Sequence, residues 1–202
     1  MSRTARLRVK LRKRVRRVRK FTRKLARSPK RGYHRARRRN AKAARKLLEL
    51  IGRQPVRDRA LYVAEGLVGV MEQGGNNAGP MVEKIIHANG GSTGEPWCGD
   101  FVAYCYRLAG SKAVSRSWAA VRLLRGLLGI SATPAPEGGD LVTFTFDHVG
   151  MFVKDNGNGT ITTIEGNTGA SGAVSDSATG GDGVYEKIRE KSLVADYLRV
   201  TR

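Results

Sequence analysis

The chain has 202 residues and a formal net charge of +21. This length is sufficient for one domain with its own core and an additional segment. The charge is concentrated in the first quarter, because residues 1–53 hold 24 of the 38 Lys and Arg residues but only one of the 17 acids. Residues 54–202 carry nearly balanced charge. This partition excludes a uniformly basic domain. It predicts a basic arm over residues 1–54 and an independent domain over residues 55–202.

Composition also argues against membrane-spanning, signal-directed and metal-binding classes. No run of about eighteen apolar residues occurs, so we expect no transmembrane helix. The N-terminus lacks the apolar core of a secretory signal, so we expect no signal peptide. The two cysteines and three histidines lack the paired spacings of zinc ligands, so we expect no metal and no other cofactor. About 10 Å of helix rise between Cys98 and Cys105 argues against a disulfide.

The basic arm has a helical pattern. Its first apolar residues recur every three or four positions, with nearly all Arg or Lys between them, and form a stripe: Leu7, Leu11, Val15, Val18, Phe21 and Leu25. A second helical run spans about 35–51. Because like charges repel, we expect the arm to be disordered in isolation and to fold against an anionic partner. Three partners are open: an anionic wall polymer or lipid headgroups, nucleic acid, or another protein that the apolar stripe contacts. Within residues 1–53 arginine outnumbers lysine 17 to 7, which favours partners that carry phosphate groups.

The remaining sequence changes from helical to alternating periodicity after residue 139. Helices are predicted at about 58–72, 81–88 and 96–109 and from 117 onward. Strands are predicted at 141–146, 148–153, 160–165, 184–189 and 197–201. Helices followed by mostly antiparallel strands indicate an α+β domain.

Cys98 lies where a nucleophile is commonly placed. Pro96 precedes it and suits a first helical turn, so Cys98 lies at the start of the predicted helix. Free backbone N–H groups and the helix dipole favour a thiolate there, and the same groups are able to hold an oxyanion. The alternative is that Cys98 is a small buried hydrophobic residue, as expected for Cys105.

His148 begins a predicted strand that a hairpin turn at 155–159 pairs with the next one. A turn centred on Gly157 places His148 opposite position 166, so Glu165 and Asn167 share one face beside it, and Gly150 leaves space on that face. The alternative is a surface histidine paired with a surface glutamate. With Cys98, these residues form a Cys–His–Glu/Asn arrangement that amide hydrolysis through a thioester requires.

Four segments resemble the motifs of the CHAP family (cysteine, histidine-dependent amidohydrolase/peptidase) in the same order: PWCGDFV at 96–102, GDLV at 139–142, DHVG at 147–150 and IEGN at 164–167. The segments 69–72 and 75–80 are similar to the family's opening. The resemblance covers about residues 57–202 and implies a papain-like α+β fold. It also implies Cys98 as nucleophile, His148 as base, Glu165 as the orienting group and Asn167 as a polar supporter.

Three further residues near the predicted nucleophile are candidate substrate contacts. Trp97 forms either a cleft wall or part of the core, and Asn77 either contacts substrate or forms a turn. Asp100 departs from the small-residue pair expected after the cysteine; facing the cleft, it would help to select a cationic substrate group, and facing solvent it would have no such role.

The resemblance implies hydrolysis of peptidoglycan stem or cross-bridge amides. We expect a phage endolysin or virion-associated lysin, located in the host cytoplasm and then at the cell wall, or in the virion. One alternative is a virion structural or nucleic-acid-binding protein whose CHAP domain is secondary or inactive. Another is an amidase for a soluble amide.

Overall fold

The structure is a computed structural model that describes residues 31–169 and 181–201, together with eight positions between 6 and 20. It divides into two units, Met1–Pro55 and Val56–Arg202. None of the described helices is both long and apolar enough to cross a bilayer.

The described residues of the first unit are mostly helical. The described positions between 6 and 20 are helical, and helix α1 spans Arg31–Gly52. Arg14 donates to Asn40 Oδ1 at 3.1 Å, so the two helical segments touch. Of the predicted apolar stripe, Leu7 is described; the other five residues lie outside the described residues.

The second unit begins with three α-helices, α2 (Val56–Leu67), α3 (Pro80–Ala88) and α4 (Cys98–Leu108). Three short 3-10 helices follow at Arg116–Ala119, Val121–Gly126 and Lys191–Leu193. Helix α4 is central to the unit, because nine of its eleven residues are buried and it contacts α2, α3 and the sheet. Its apolar residues therefore form the middle of the main core.

One six-stranded antiparallel sheet covers the other side of α4. Its strands are β1 (Ile130–Ala132), β2 (Leu141–Phe144), β3 (Val149–Asp155), β4 (Thr160–Thr168), β5 (Gly183–Glu190) and β6 (Val194–Val200). The spatial order is β1-β6-β2-β3-β4-β5. Each described pairing is antiparallel, so the α+β prediction is confirmed.

Helix α4 approaches strand β4 so closely that only glycine fits at one point. A Cβ on Gly166 would lie 2.6 Å from Phe101 Cβ and 2.9 Å from the Trp97 ring. Because Gly166 lies between Glu165 and Asn167, this contact fixes both polar residues relative to the start of α4.

Some predicted element bounds were wrong for local reasons. The helix predicted to 72 ends at Leu67, because Gly69 adopts a positive φ of 89° and the chain turns toward β5. The helix predicted from 117 is two 3-10 helices, because Ala120 between them has extended ψ (90°). The prediction omitted β1, which is only three residues long.

Candidate active site

Helix α4 begins at Cys98, with Trp97 as its N-cap residue. The first helical hydrogen bond runs from Phe101 N to Trp97 O at 2.8 Å, so the preceding first-turn N–H groups have no partner within the helix. Cys98 is 8% exposed and is a free thiol. A Cβ on Gly99 would lie 2.3 Å from Trp118 O, so glycine after the cysteine allows the neighbouring 3-10 helix to pack against this turn.

His148 immediately precedes strand β3, and 1% of its surface is exposed. Its backbone N–H donates to Phe146 O at 2.7 Å, which closes a tight turn. The imidazole stacks on the Phe144 and Phe146 rings, with centroids 5.8 and 6.0 Å away. This aromatic wall restricts rotation of the imidazole.

Glu165 lies across from His148 on β4, and its Oε2 atom is 3.0 Å from His148 Nε2. The hairpin pairs Gly150 with Glu165, and the register shifts between Phe152 and Lys154. The predicted pairing of His148 with position 166 is therefore off by one residue. A Cβ on Gly150 would lie 2.6 Å from Glu165 Cγ, so Gly150 makes the space that the carboxylate occupies, as the sequence predicts.

The carboxylate of Glu165 is surrounded by donors. Besides His148, it accepts from Thr163 Oγ1 at 2.5 Å and from Arg189 Nε and Nη2 at 3.1 and 2.8 Å. Burial alone would raise the pKa of Glu165, but hydrogen bonds and positive charge from His148 and Arg189 lower it to about 2. The carboxylate is therefore ionised throughout the neutral range.

Cys98 completes the arrangement through His148. Burial alone would lower the pKa of His148, but hydrogen bonds with Cys98 and Glu165 and the negative charges of both raise it to about 9. Since Nε2 faces Glu165, Nδ1 is the ring nitrogen that remains for Cys98. The structure thus brings together Cys98, His148 and Glu165 in the order that a thiol nucleophile, its base and an orienting group require.

Asn167 supports the start of helix α4 rather than the imidazole. Its backbone has a positive φ of 55°. With its amide oriented so that donors meet acceptors, its oxygen accepts from Trp97 N at 3.0 Å and its nitrogen donates to Asn77 Oδ1 at 3.2 Å. Asn167 therefore anchors the residue just before Cys98.

Trp97 and Asn77 belong to the same buried network. Trp97 is fully buried, and its indole donates to Glu72 Oε1 at 2.9 Å. Asn77, with a φ of 53°, donates its backbone N–H to Glu72 Oε2 at 2.9 Å and its amide to Gly94 O at 3.1 Å. Because both side chains are enclosed, we revise their expected role from substrate contact to support.

Asp100 is also placed in the interior. It is fully buried, and its Oδ1 atom accepts from Asn89 at 2.6 Å and from Arg116 at 3.2 Å. Burial raises the pKa of its carboxyl, with the two donors opposing. The carboxylate joins α4 to two neighbouring segments and does not face solvent, so we revise its predicted selection of a cationic group to support.

Sequence reasoning missed Arg189. Along β5 the basic residues Lys187 and Arg189 are buried, while Ile188 between them is 52% exposed. An alternating strand is normally read with the apolar residue inward, which is the reverse of what occurs. The one available signal was indirect: a buried glutamate such as Glu165 needs more positive charge than one histidine supplies.

Residues 89–167 match the family model of the CHAP domain. This segment is similar to a CHAP domain. The matched segment includes Cys98, His148, Glu165 and Asn167, and the α+β architecture is consistent with the papain-like fold of this family. The match indicates peptidoglycan-hydrolase or amidase-type activity. Searches of curated proteins and of solved structures found no match.

Within the described ranges, no three His, Cys, Asp or Glu side chains gather as a metal-ligand set would. Glu165 and Asn167 are paired with protein donors and acceptors.

Proposed function

We propose that the CHAP domain hydrolyses amide bonds of peptidoglycan by cysteine-dependent catalysis, with Cys98 as nucleophile and His148 as acid and base. The observation that carries this proposal is the buried series of interacting side chains from Cys98 through His148 to Glu165. The CHAP match over the same residues supports it.

The proposed reaction has two stages. In the first, the Cys98 thiolate attacks the amide carbonyl carbon, and first-turn N–H groups of α4 stabilise the oxyanion. The imidazolium of His148 gives its proton to the leaving nitrogen as the C–N bond breaks, which leaves a thioester and a neutral imidazole.

In the second stage, His148 takes a proton from water as the water oxygen attacks the thioester. Breaking the C–S bond regenerates the thiolate and the imidazolium and releases a carboxylic acid. Glu165 enters the reaction ionised: burial alone would raise its pKa, but hydrogen bonds and positive charge from His148 and Arg189 lower it to about 2. Its role is to orient the ring and balance its charge.

The test is mass spectrometry of fragments released from purified walls. Cleavage at the muramoyl–alanine bond and cleavage within the stem or cross-bridge each leave a new amino group at a different position. New amino groups in the absence of new reducing sugar ends support the proposal. New reducing sugar ends without amino groups would show glycosidase chemistry and overturn it.

For the first unit we propose binding to a phosphate-bearing anionic polymer. Its described cations include five around a groove of about 540 Å³: Lys10, Lys13, Arg14, Arg17 and Lys46. Apolar residues line the same groove: Leu7, Ala43, Leu47 and Leu50. Cations clustered on one surface attract polyanions over a distance that shrinks as salt rises.

A chain starting at Gln54 tests this proposal against the full-length protein. We expect the full-length protein to bind anionic walls more tightly at 0.1 M salt, and the difference to disappear toward 1 M, where the Debye length falls from about 10 Å to about 3 Å. Binding measured with Cys98→Ala versions of both chains avoids hydrolysis during the assay. Wall binding that is unchanged by salt would contradict an electrostatic role.

The charge of the arm also favours a second candidate, a virion or nucleic-acid-binding protein whose CHAP domain is secondary. Zymography on wall-containing gels separates the two. A clearing band that depends on Cys98 supports the hydrolase, for which we propose the role of a phage endolysin or virion-associated lysin. Tight nucleic-acid binding with no clearing supports the second candidate.

A further inference from the structure

Arg189 is a fully enclosed arginine beside the proposed catalytic residues. It is 1% exposed, and its guanidinium lies 5.6 and 5.9 Å from the Phe144 and Phe146 ring centroids. These are the two rings on which His148 stacks. One aromatic wall therefore fixes both the arginine and the imidazole.

The contacts between Arg189 and Glu165 constrain the carboxylate plane. Nε donates to Oε1 at 3.1 Å and Nη2 donates to Oε2 at 2.8 Å. Two parallel N–H···O bonds of this kind set the orientation of a carboxylate as well as its charge. Since Oε2 also meets His148 Nε2, the orientation set by Arg189 is transmitted to the imidazole.

We propose that Arg189 is a positioning residue: it keeps Glu165 ionised and in plane, so that Glu165 holds His148 with Nε2 protonated and Nδ1 toward Cys98. This inference rests on the proposed function, because it assigns Arg189 to the same reaction.

The charges along the series Cys98, His148, Glu165 and Arg189 alternate in sign. In the state from which the proposed reaction starts, a thiolate, an imidazolium, a carboxylate and a guanidinium sum to zero. After the thioester forms, Cys98 and His148 are both neutral, and Glu165 and Arg189 still balance each other. Without Arg189 the buried site would carry an excess negative charge in both states, which is costly in a low-dielectric interior.

The charged and titratable groups that meet this pair come from three elements. Cys98 faces His148 from α4, and His148 faces Glu165 from the start of β3. Arg189 faces Glu165 from β5. Lys187 lies on the same buried strand face, and its Nζ atom donates to Gly169 O at 3.0 Å. His148 and Arg189 are the two groups that lower the pKa of Glu165 against burial.

The experiment measures the rate at which iodoacetamide alkylates Cys98 as a function of pH, in the full-length protein. The thiolate forms a C–S bond and releases iodide, so the rate follows the Cys98–His148 pair without any wall substrate. Cys105 is fully buried, and a Cys98→Ala sample gives the background. Wall hydrolysis is measured in parallel.

For Arg189→Met we expect a new acid inflection, because the pKa of Glu165 rises by about 1–3 units when an adjacent opposite charge is lost. Arg189→Lys keeps the charge but not the paired geometry, so its pH profile should lie between those of wild type and Arg189→Met. The matched control is Arg199→Met, which removes a similar two-point pair with Asp140 (3.2 and 2.7 Å) on the same sheet. Its profile should match wild type.

The decisive comparison is made in a Glu165→Gln background. If Arg189 acts through Glu165, adding Arg189→Met there should change the profile little. An equal loss in both backgrounds, or an Arg189→Met profile that superimposes on Arg199→Met, would overturn the proposal. Should Arg189→Met fail to fold, Arg189→Lys in the two backgrounds decides by the same criterion. Normal alkylation profiles in a wild-type protein that cuts no wall would instead contradict the proposed function alone.

Discussion

Cys98 and Cys105 lie two turns apart on helix α4, and both are buried free thiols. Their surroundings differ. Cys98 begins the helix and raises the pKa of His148, whereas Cys105 lies in the body of the helix and the main core, where burial raises the pKa of its thiol. The two cysteines share their residue type and their burial, so neither of these properties identifies the nucleophile. Position at the helix start and an adjacent histidine distinguish Cys98.

Replacing each cysteine separately tests this difference most strongly. We expect Cys98→Ala to lower wall hydrolysis by about 10³-fold or more, because the nucleophile is lost. Cys105→Ala should keep nearly full activity. Turbidity loss of wall suspensions gives the rates, and circular dichroism verifies that both variants fold. Equal losses in the two variants would mean that the cysteines do not differ as the structure indicates.

His148 supplies the second test. We expect His148→Ala to lower activity by about 10²–10⁴-fold through loss of the general acid and base, and Glu165→Gln to be milder because it only orients the ring. Combined with Cys98→Ala, His148→Ala should add little, since members of one catalytic unit are not additive. Losses that multiply would argue against a shared site.

The pKa of His148 gives a third, finer comparison. Burial alone would lower this pKa, and the hydrogen bond with Cys98 is the largest of the causes that raise it to about 9. In Cys98→Ala the pKa should therefore fall, while in Cys105→Ala it should stay. Nitrogen chemical shifts of His148 in a pH titration measure both, and an unchanged value in Cys98→Ala would show that the two side chains do not interact.

The same pKa predicts how stability depends on pH. A histidine whose folded pKa lies above its unfolded value of about 6.5 stabilises the fold below that value, and the contribution is lost as pH rises through the folded pKa. For wild type the loss should fall between about pH 6.5 and 9. Melting temperatures across this range should drop less in Cys98→Ala than in Cys105→Ala.

The smallest effect is expected from Cys105 itself. Cys105→Ala leaves a small cavity, and Cys105→Ser buries a hydroxyl group, which costs about 1–3 kcal/mol without a partner. We therefore expect the serine variant to be the less stable of the two, with hydrolysis rates near wild type in both. Urea denaturation midpoints measure the difference. A large activity loss in either would place Cys105 in the reaction.

The sequence could predict the α+β fold and bring Cys98, His148 and Glu165 together, because local patterns carry those features. A proline before the cysteine marks the helix start, and the turn at 155–159 sets the β3–β4 register within one residue beside the site and within two residues next to the turn. Arg189 could not be predicted in the same way. Its inward position depends on a charge buried on another strand, and local alternation indicates the opposite face.

The expected substrate contacts could not be placed from sequence for a related reason. Trp97, Asn77 and Asp100 are near Cys98 along the chain or by motif, but their side chains bond to Glu72, Gly94 and Asn89. Proximity to a nucleophile does not reveal whether a side chain faces the cleft or supports it. That distinction requires the three-dimensional packing of several segments.

The central claim is that wall amides are cut through a thioester on Cys98. The most direct test is acid quenching of a single turnover of full-length protein with soluble wall fragments, followed by peptide mapping. Cleavage after Phe101 or Tyr104 separates the two cysteines. We predict a hydroxylamine-sensitive mass increase on the peptide that contains Cys98 and none on the peptide that contains Cys105. Product formation with no adduct on Cys98, or an adduct on Cys105, would contradict the account.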